Sequence, residues 1–285
     1  NNIMKLVLSN KDKVAKFRNI FKYINSISKE VLLTVKGDGL YTQGLDTANI
    51  CLFDINIKSD WFDKFEFDKK DPEHFLVGLS CELVFKLFSC IRDGQQLEII
   101  LNPDKSDYMF VNFINSNDMD KSFEIRLIDI DPNHLEVPIE EAELDLLIET
   151  AEFKRLINEM ALFSNNVDFV CNSDGDHLEL TGTGDLTGKM TVKIKDENVK
   201  YFGILEDTNL KVRFDTKYLQ DISNLEKITP YLHISCSNNK PIIINYIIDD
   251  VDFKNSEEED LLQIENFSCI RMALAPKEDE DADDF

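Results

Sequence analysis

The chain has 285 residues, 43% of them hydrophobic, enough for two domains with buried cores. It contains no run of about 18 apolar residues that could span a bilayer, and its N-terminal NNIMKLVLSNKDK turns charged too early for a signal peptide, so a soluble protein with no membrane partner is expected. The formal net charge of −24 counts against nucleic acid at first sight, because affinity for DNA comes mostly from cationic contacts to phosphate.

Much of that charge is local. Lys277–Phe285 carries six acids against one Lys, and Asp249–Asp260 carries seven against one, so the position of the remaining cations matters more than the total. The six cysteines (51, 81, 90, 171, 236 and 269) form no C-x-x-C pair, which fits reduced thiols and a cytosolic or nuclear address. The four histidines share no metal-ligand spacing.

Taken in order, the hydrophobic periods predict strand Met4–Leu8, helix Lys11–Ser26, and a strand pair Val31–Val35 and Gly39–Gln43 joined at KGDG, a strong turn signal. Strand Ile50–Lys58, helix Ser80–Ile91 and strands Leu97–Leu101, Met109–Phe113 and Phe123–Leu127 follow. The plan then repeats with strand Leu144–Glu149, helix Ala151–Phe163, strands Asp168–Cys171, Leu178–Thr181, Met190–Ile194 and Leu210–Phe214, and helix Thr216–Lys227. Strands Tyr231–Ser235 and Ile242–Ile248 and a last strand near Cys269–Leu274 close the chain. Repetition at this scale indicates two domains of one α+β architecture.

Each helix has one apolar face at 100° per residue. The first buries Val14, Phe17, Ile20, Phe21 and Ile24, and gathers Lys11, Arg18 and Lys22 within 40° on the other side, with Lys16 further round. The second buries Leu83, Val84, Leu87, Phe88 and Ile91 and turns Lys86, Ser89 and Arg92 outward. The third buries Phe153, Leu156, Ile157, Met160 and Phe163 and exposes Arg155 and Asn158. The fourth buries Tyr218, Ile222 and Leu225 and exposes Lys217, Ser223 and Lys227. Over 11–24, 79–92, 151–163 and 215–228 the formal charges are +4, +1, 0 and −1, which leaves −28 for the rest of the chain. Lysines on an outward helix face are ordinarily just solvated. Four helices that escape so acidic a composition are instead the one plausible seat for a polyanion.

Several motifs dissolve on inspection. GTGDLTG (Gly182–Gly188) precedes a strand, not a helix N-terminus, so it reads as a hairpin loop and not a phosphate cradle. NSDGD (Asn172–Asp176) has no Glu closing a twelve-residue calcium loop. Asp129 and Asp131 form a D-x-D in an extended segment with no third ligand, and no metal or other cofactor is expected. No Ser/His/Asp or Cys/His set can be assembled. A binding or scaffold protein, not an enzyme, is expected.

One stretch breaks its own rule. In Phe123–Leu127 the apolar residues stand at odd positions, but from Ile128 the phase flips, with Ile128 and Ile130 apolar and Asp129 and Asp131 between them. A strand that changes phase has bulged or left its sheet, and Pro132 and Pro138 keep it from rejoining one. Residues 128–143 therefore read as a connector between domains 1–127 and 144–276, with 277–285 an acidic tail.

Three segments resemble the proliferating cell nuclear antigen family of DNA sliding clamps: FEIRLIDIDPNHLEVP (Phe123–Pro138), ETAEFKRLINEM (Glu149–Met160) and MALAPK (Met272–Lys277) followed by acids. Weaker likeness in GLDTANICLFDI (Gly44–Ile55) and KYLQDISNLEKITP (Lys217–Pro230) keeps the same order along nearly the whole chain. The resemblance implies two similar domains, each with two helices on antiparallel sheets, in a ring-shaped homotrimer whose pore is lined by helices. The implied partners are double-stranded DNA, DNA polymerase and other replication and repair proteins, and a clamp loader, in the nucleus or at a viral replication site.

The resemblance carries phosphate-facing roles to Lys16, Lys22, Lys86, Arg155, Lys217 and Lys227, and helical geometry adds Lys11, Arg18 and Arg92. It puts the subunit contact between Phe123, Ile125 and Leu127 of one chain and Met190, Val192 and Ile194 of the next. Client peptides would dock at Leu45, Asn49, Leu52, Ile128, Ile130, Val137, Pro138, Pro241, Ala273, Leu274, Ala275 and Pro276. Two features depart from the family. Ala273 stands where a bulky aromatic residue is usual, and an acidic insertion at about Asp250–Asn266 replaces a short turn, open to reading as a disordered loop or as a screen over the partner face. Alternative readings are a subunit of a heteromeric clamp, a monomeric processivity factor, or an acidic DNA mimic or histone-chaperone-like binder.

Overall fold

The computed structural model describes residues 3–67, 73–115, 119–132, 135 and 141–277. They form two compact units that are not contiguous in sequence: Asn1–Thr47, Asp54–Leu135 and Phe267–Cys269, and Ala48–Phe53, Glu136–Asn266 and Ile270–Phe285.

The chain of the first unit runs β1 (Met4–Leu8), α1 (Lys11–Ile27), β2 (Glu30–Lys36), β3 (Gly39–Leu45), β4 (Cys51–Lys58), β5 (Lys64–Glu66), β6 (Phe75–Ser80), α2 (Cys81–Ser89), β7 (Gln96–Leu101), β8 (Tyr108–Ile114) and β9 (Lys121–Arg126). One sheet has the order β5-β1-β7-β8-β9, and β4-β3-β2-β6 are neighbours in another. Asn10 starts α1 by accepting from the N–H groups of Asp12 and Lys13 at 2.8 and 3.2 Å, which satisfies donors that a helix start leaves open. All five expected core residues of α1 are buried, and Phe17 centres an aromatic cluster, 4.9 Å from Phe21 and 5.7 Å from Phe88 between ring centroids. The KGDG hairpin forms with Lys36 opposite Gly39.

The second unit repeats the plan with β10 (Leu144–Glu149), α3 (Thr150–Met160), β11 (Asn166–Asn172), β12 (His177–Gly184), β13 (Gly188–Lys195), β14 (Tyr201–Ile204), β15 (Asn209–Asp215), α4 (Thr216–Ser223), β16 (Tyr231–Cys236), β17 (Ile242–Ile247), α5 (Glu258–Leu262) and β18 (Cys269–Leu274). The sheet orders are β13-β12-β11-β15 and β14-β10-β16-β17-β18. GTGDLTG is the β12–β13 hairpin, with Gly184 opposite Gly188.

Helix ends differ from the periodic reading. The second helix stops at Ser89, where the Cys90 N–H folds back to Leu87, so Arg92 lies in a turn closed by its own N–H to Gln95 Oε1 at 2.9 Å. Leu83 is 40% exposed, because the short helix needs only Cys81, Val84, Leu87 and Phe88 to cover its core stripe. Likewise α3 ends at Met160 and leaves Phe163 half-buried in the following turn. The fourth helix ends at Ser223, seven residues before Pro230, and Lys227 sits in the intervening turn. Leu219, not Tyr218, fills that helix's core position.

The acidic insertion is an ordered cover and not a disordered loop. In β10, β16 and β17 the cross-strand rows Leu147–His233–Asn245 and Glu149–Tyr231 share one sheet face, and Ile247 follows Asn245 two residues along on the same side. The opposite face meets helices, as Tyr246 shows by donating to the Ile222 carbonyl of α4 at 2.9 Å. On the first face the Phe253 ring stacks on Tyr231 at 5.1 Å, and Phe253, Leu261 and Ile264 are buried. Leu147, His233, Asn245 and Ile247, on that same face, are buried too. Burial, with the charges of Asp145, Glu258 and Glu259, pushes the Tyr201 phenol up from its ordinary value. The acids Asp252, Glu257–Asp260 and Glu265 remain on the outside.

Candidate functional site

Within the first unit α1 packs against α2, and within the second α3 packs against α4, where Gln220 Nε2 donates to Asn158 Oδ1 at 2.9 Å. Lys11, Lys22, Lys86, Arg155 and Lys217 are exposed on these helices, and Lys16 and Arg18 are half-exposed. Arg92 and Lys227 are exposed in turns, so the helical geometry that selected Arg92 does not hold.

The cations differ in how far the protein has already neutralised them. Arg155 is held by Glu152 at 2.5 Å and Glu159 at 2.6 Å, one helical turn away on either side. The hydrogen bonds from Arg155 draw the Glu152 carboxyl below its usual value and push the guanidinium further up. Lys86 is paired with Glu82 at 2.5 Å, and Lys11 approaches Asp93 at 3.7 Å. Among the described residues no carboxylate lies within 4 Å of the Lys22 ammonium. Helical projection placed these cations but not their partners.

Both strands named for the subunit contact are sheet edges among the described residues: β9 ends the sheet of the first unit, and β13 ends the four-stranded sheet of the second. Along β9, Phe123 is half-buried against Phe113 at 5.1 Å and Ile125 is buried, while Leu127 falls just beyond the strand. Along β13, Met190 and Val192 are half-buried and Ile194 is buried. Beside β13 lies an open groove of about 600 Å³, bordered by Val192, Ile194, Leu156, Arg155, Glu152 and Tyr231.

The phase flip has a physical cause. The Leu127 N–H still donates to the Asp107 carbonyl at 2.8 Å, in the loop before β8. The next N–H, of Ile128, donates to the Gly78 carbonyl of β6 at 3.0 Å, in the other sheet of the same unit. Consecutive peptide groups point to opposite sides of an extended chain, so this one step moves the segment from sheet to sheet. Ile128 and Ile130 are half-buried, while Asp129 and Asp131 are exposed.

The expected peptide-docking residues divide between the units. In the first, Leu45 ends β3 half-exposed, and Ile128 and Ile130 lie on the connector. In the second, Asn49 is exposed with φ +58°, Leu52, Ala273 and Leu274 are buried, Ala275 and Pro241 are exposed, and Pro276 is half-exposed. The Ala275 N–H donates to the Ile50 carbonyl at 3.1 Å, which joins the C-terminal segment to 48–53 within that unit. Val137 and Pro138 lie outside the described residues, as does the tail beyond Lys277.

Two successive domains of one plan, each setting a pair of helices on antiparallel sheets, define the class of this protein as a DNA sliding clamp. The proliferating cell nuclear antigen N-terminal domain model matches residues 9–134 and the C-terminal domain model matches residues 138–256, and the chain belongs to that family. It is 22% identical to proliferating cell nuclear antigen 2 of Drosophila melanogaster, over 90% of this chain and 94% of the relative. Identity to proliferating cell nuclear antigen 2 of Plasmodium falciparum (isolate 3D7) is 25%, over 92% and 95% of the two chains. A probable DNA polymerase sliding clamp 2 of Paramecium bursaria Chlorella virus 1 is 23% identical, over 96% of this chain and 91% of the relative.

Proposed function

We propose that this sliding clamp acts as a homotrimer that encircles duplex DNA and tethers DNA polymerase and other replication and repair proteins to it. A clamp loader opens the ring, and the work is done in the nucleus or at a viral replication site. Its role is that of a scaffold, not a catalyst.

The observation that carries the ring is the pair of open edges. A β9 edge in one unit and a β13 edge in the other are different patches, so their pairing is head-to-tail, and closure removes both edges at once. Phe123, Ile125 and Leu127 would then meet Met190, Val192 and Ile194 of the next copy.

DNA would be held through Lys11, Lys16, Arg18, Lys22, Lys86, Arg92, Arg155, Lys217 and Lys227 by attraction to phosphate alone, which is salt-sensitive, sequence-blind and compatible with sliding. The acidic remainder of the surface would repel DNA elsewhere. Client peptides would use the connector residues together with Leu45, Asn49, Leu52, Val137, Pro138, Pro241 and Ala273–Pro276.

Reversing Lys16, Lys22, Lys86 and Arg155 to Glu is expected to leave the assembly intact by light scattering while abolishing processive synthesis on primed DNA. Unchanged processivity would overturn the assignment of these cations. Light scattering of the unaltered chain should give three times 32.9 kDa. A strict monomer at micromolar concentration would instead favour the heteromeric or monomeric clamp.

A further inference from the structure

Among the described residues the connector is hydrogen-bonded to the first unit at Ile128 and at Leu135, and the second bond depends on a side chain that no periodicity marks. Gln43 of β3 donates from Nε2 to the Leu135 carbonyl at 2.6 Å and accepts the Leu135 N–H on Oε1 at 2.7 Å. One amide thus supplies the donor and the acceptor that a neighbouring strand would offer to Leu135. The amide is itself oriented: its Nε2 also lies 3.4 Å from Asp54 Oδ2, the same oxygen that accepts from the Tyr41 hydroxyl at 3.0 Å. With two acceptors facing Nε2 and an N–H facing Oε1, the reversed amide would set like against like.

The first point is Gly78. There the Ile128 N–H reaches the β6 carbonyl, and a Cβ on Gly78 would stand 2.0 Å from the Ile128 oxygen, so a side chain there would displace the connector. Ile128 is thus fixed to β6 at Gly78, and Leu135 to β3 at Gln43.

We propose that Gln43 is the positioning residue of the connector: by pairing with both backbone groups of Leu135 it holds that residue beside β3 as a preformed part of the surface for partner peptides. This rests on the reading of the connector as the peptide site. A surface already ordered spares the binding peptide the entropic cost of ordering it. Gln43 need not touch the peptide.

The test compares the full chain with Gln43→Ala and Gln43→Glu. Glu keeps an acceptor for the Leu135 N–H but turns a carboxylate toward both the Leu135 carbonyl and Asp54. Both variants should unfold at the same temperature as the unaltered chain. Amide exchange at Leu135 should rise roughly tenfold or more in Gln43→Ala, the scale of losing two such bonds. Affinity for a fluorescent synthetic peptide carrying aromatic and aliphatic side chains should fall by a similar factor, and further in Gln43→Glu. Gly78→Ala, acting at the other end, should weaken the same peptide.

Unchanged exchange at Leu135 overturns the proposal. Faster exchange with unchanged peptide affinity overturns the positioning role. Failure of the unaltered chain to bind the peptide overturns the reading of the connector as a peptide site, while exchange at Leu135 still decides whether Gln43 orders it.

Discussion

Single residues settle where this clamp tolerates charge. Glu98 of β7 is 7% exposed, paired with Lys5 and accepting from Asn112 Nδ2 at 2.8 Å. Burial raises the pKa of its carboxyl, yet the hydrogen bonds from Lys5 and Asn112 outweigh burial and leave it below the usual value. A carboxylate whose folded pKa lies below its unfolded value, near about 4.3, stabilises above that pH and loses the effect as pH falls through the folded pKa. Glu98→Gln is therefore expected to cost about 1–3 kcal/mol at neutral pH, by leaving the Lys5 charge without its partner. The difference should shrink in urea titrations below about pH 4. Among the pore candidates, reversal of Lys22 should cost more DNA affinity than reversal of Arg155, whose guanidinium two carboxylates already engage. Filter binding at low salt would read the difference. These distinctions were not visible in sequence, because Glu82, Glu152 and Glu159 each sit at a spacing that a solvated helix face also shows.

Among the elements, the acidic insertion is the one whose composition misleads. Its seven acids suggest a solvated loop, but Phe253, Leu261 and Ile264 spaced among them are buried as a second cover for the β10–β16–β17 sheet. Phe253→Ala is expected to destabilise the second unit by about 3–5 kcal/mol, through lost burial and the cavity beside Tyr231. Urea unfolding with amide exchange over β16 checks this, and an unchanged midpoint would return the insertion to the status of a loose loop. The helix starts and most strands were legible, since period-2 and period-3.6 patterns and caps such as Asn10 are local, but β5, β6 and β14 were not expected from the sequence. The helix ends were less so. Ile91 keeps the helical period although the chain has already turned at Cys90, a turn marked by the Cys90 N–H on the Leu87 carbonyl and the Arg92 N–H on Gln95 Oε1.

For the whole molecule, the proposed assembly rests on edges. A sheet edge with half-buried apolar residues and no neighbour is a hazard for a free chain, and β9 and β13, two of the edge strands among the described residues, lie one in each unit. Phe123→Ala combined with Val192→Lys is expected to shift the light-scattering mass to 32.9 kDa without altering far-UV circular dichroism. A mass that stays threefold higher would move the contact elsewhere. The sequence by itself determined the α+β class, the duplicated plan, the outward cations and the point where the chain leaves its first sheet, because each is written in periodicity, turn residues or motif order. Tertiary structure alone decided which cations are already paired, where the connector goes after Leu127, and what the insertion covers. The physical reason is separation along the chain: Gln43 and Leu135 lie 92 residues apart, and no local pattern records which backbone a side-chain amide will meet.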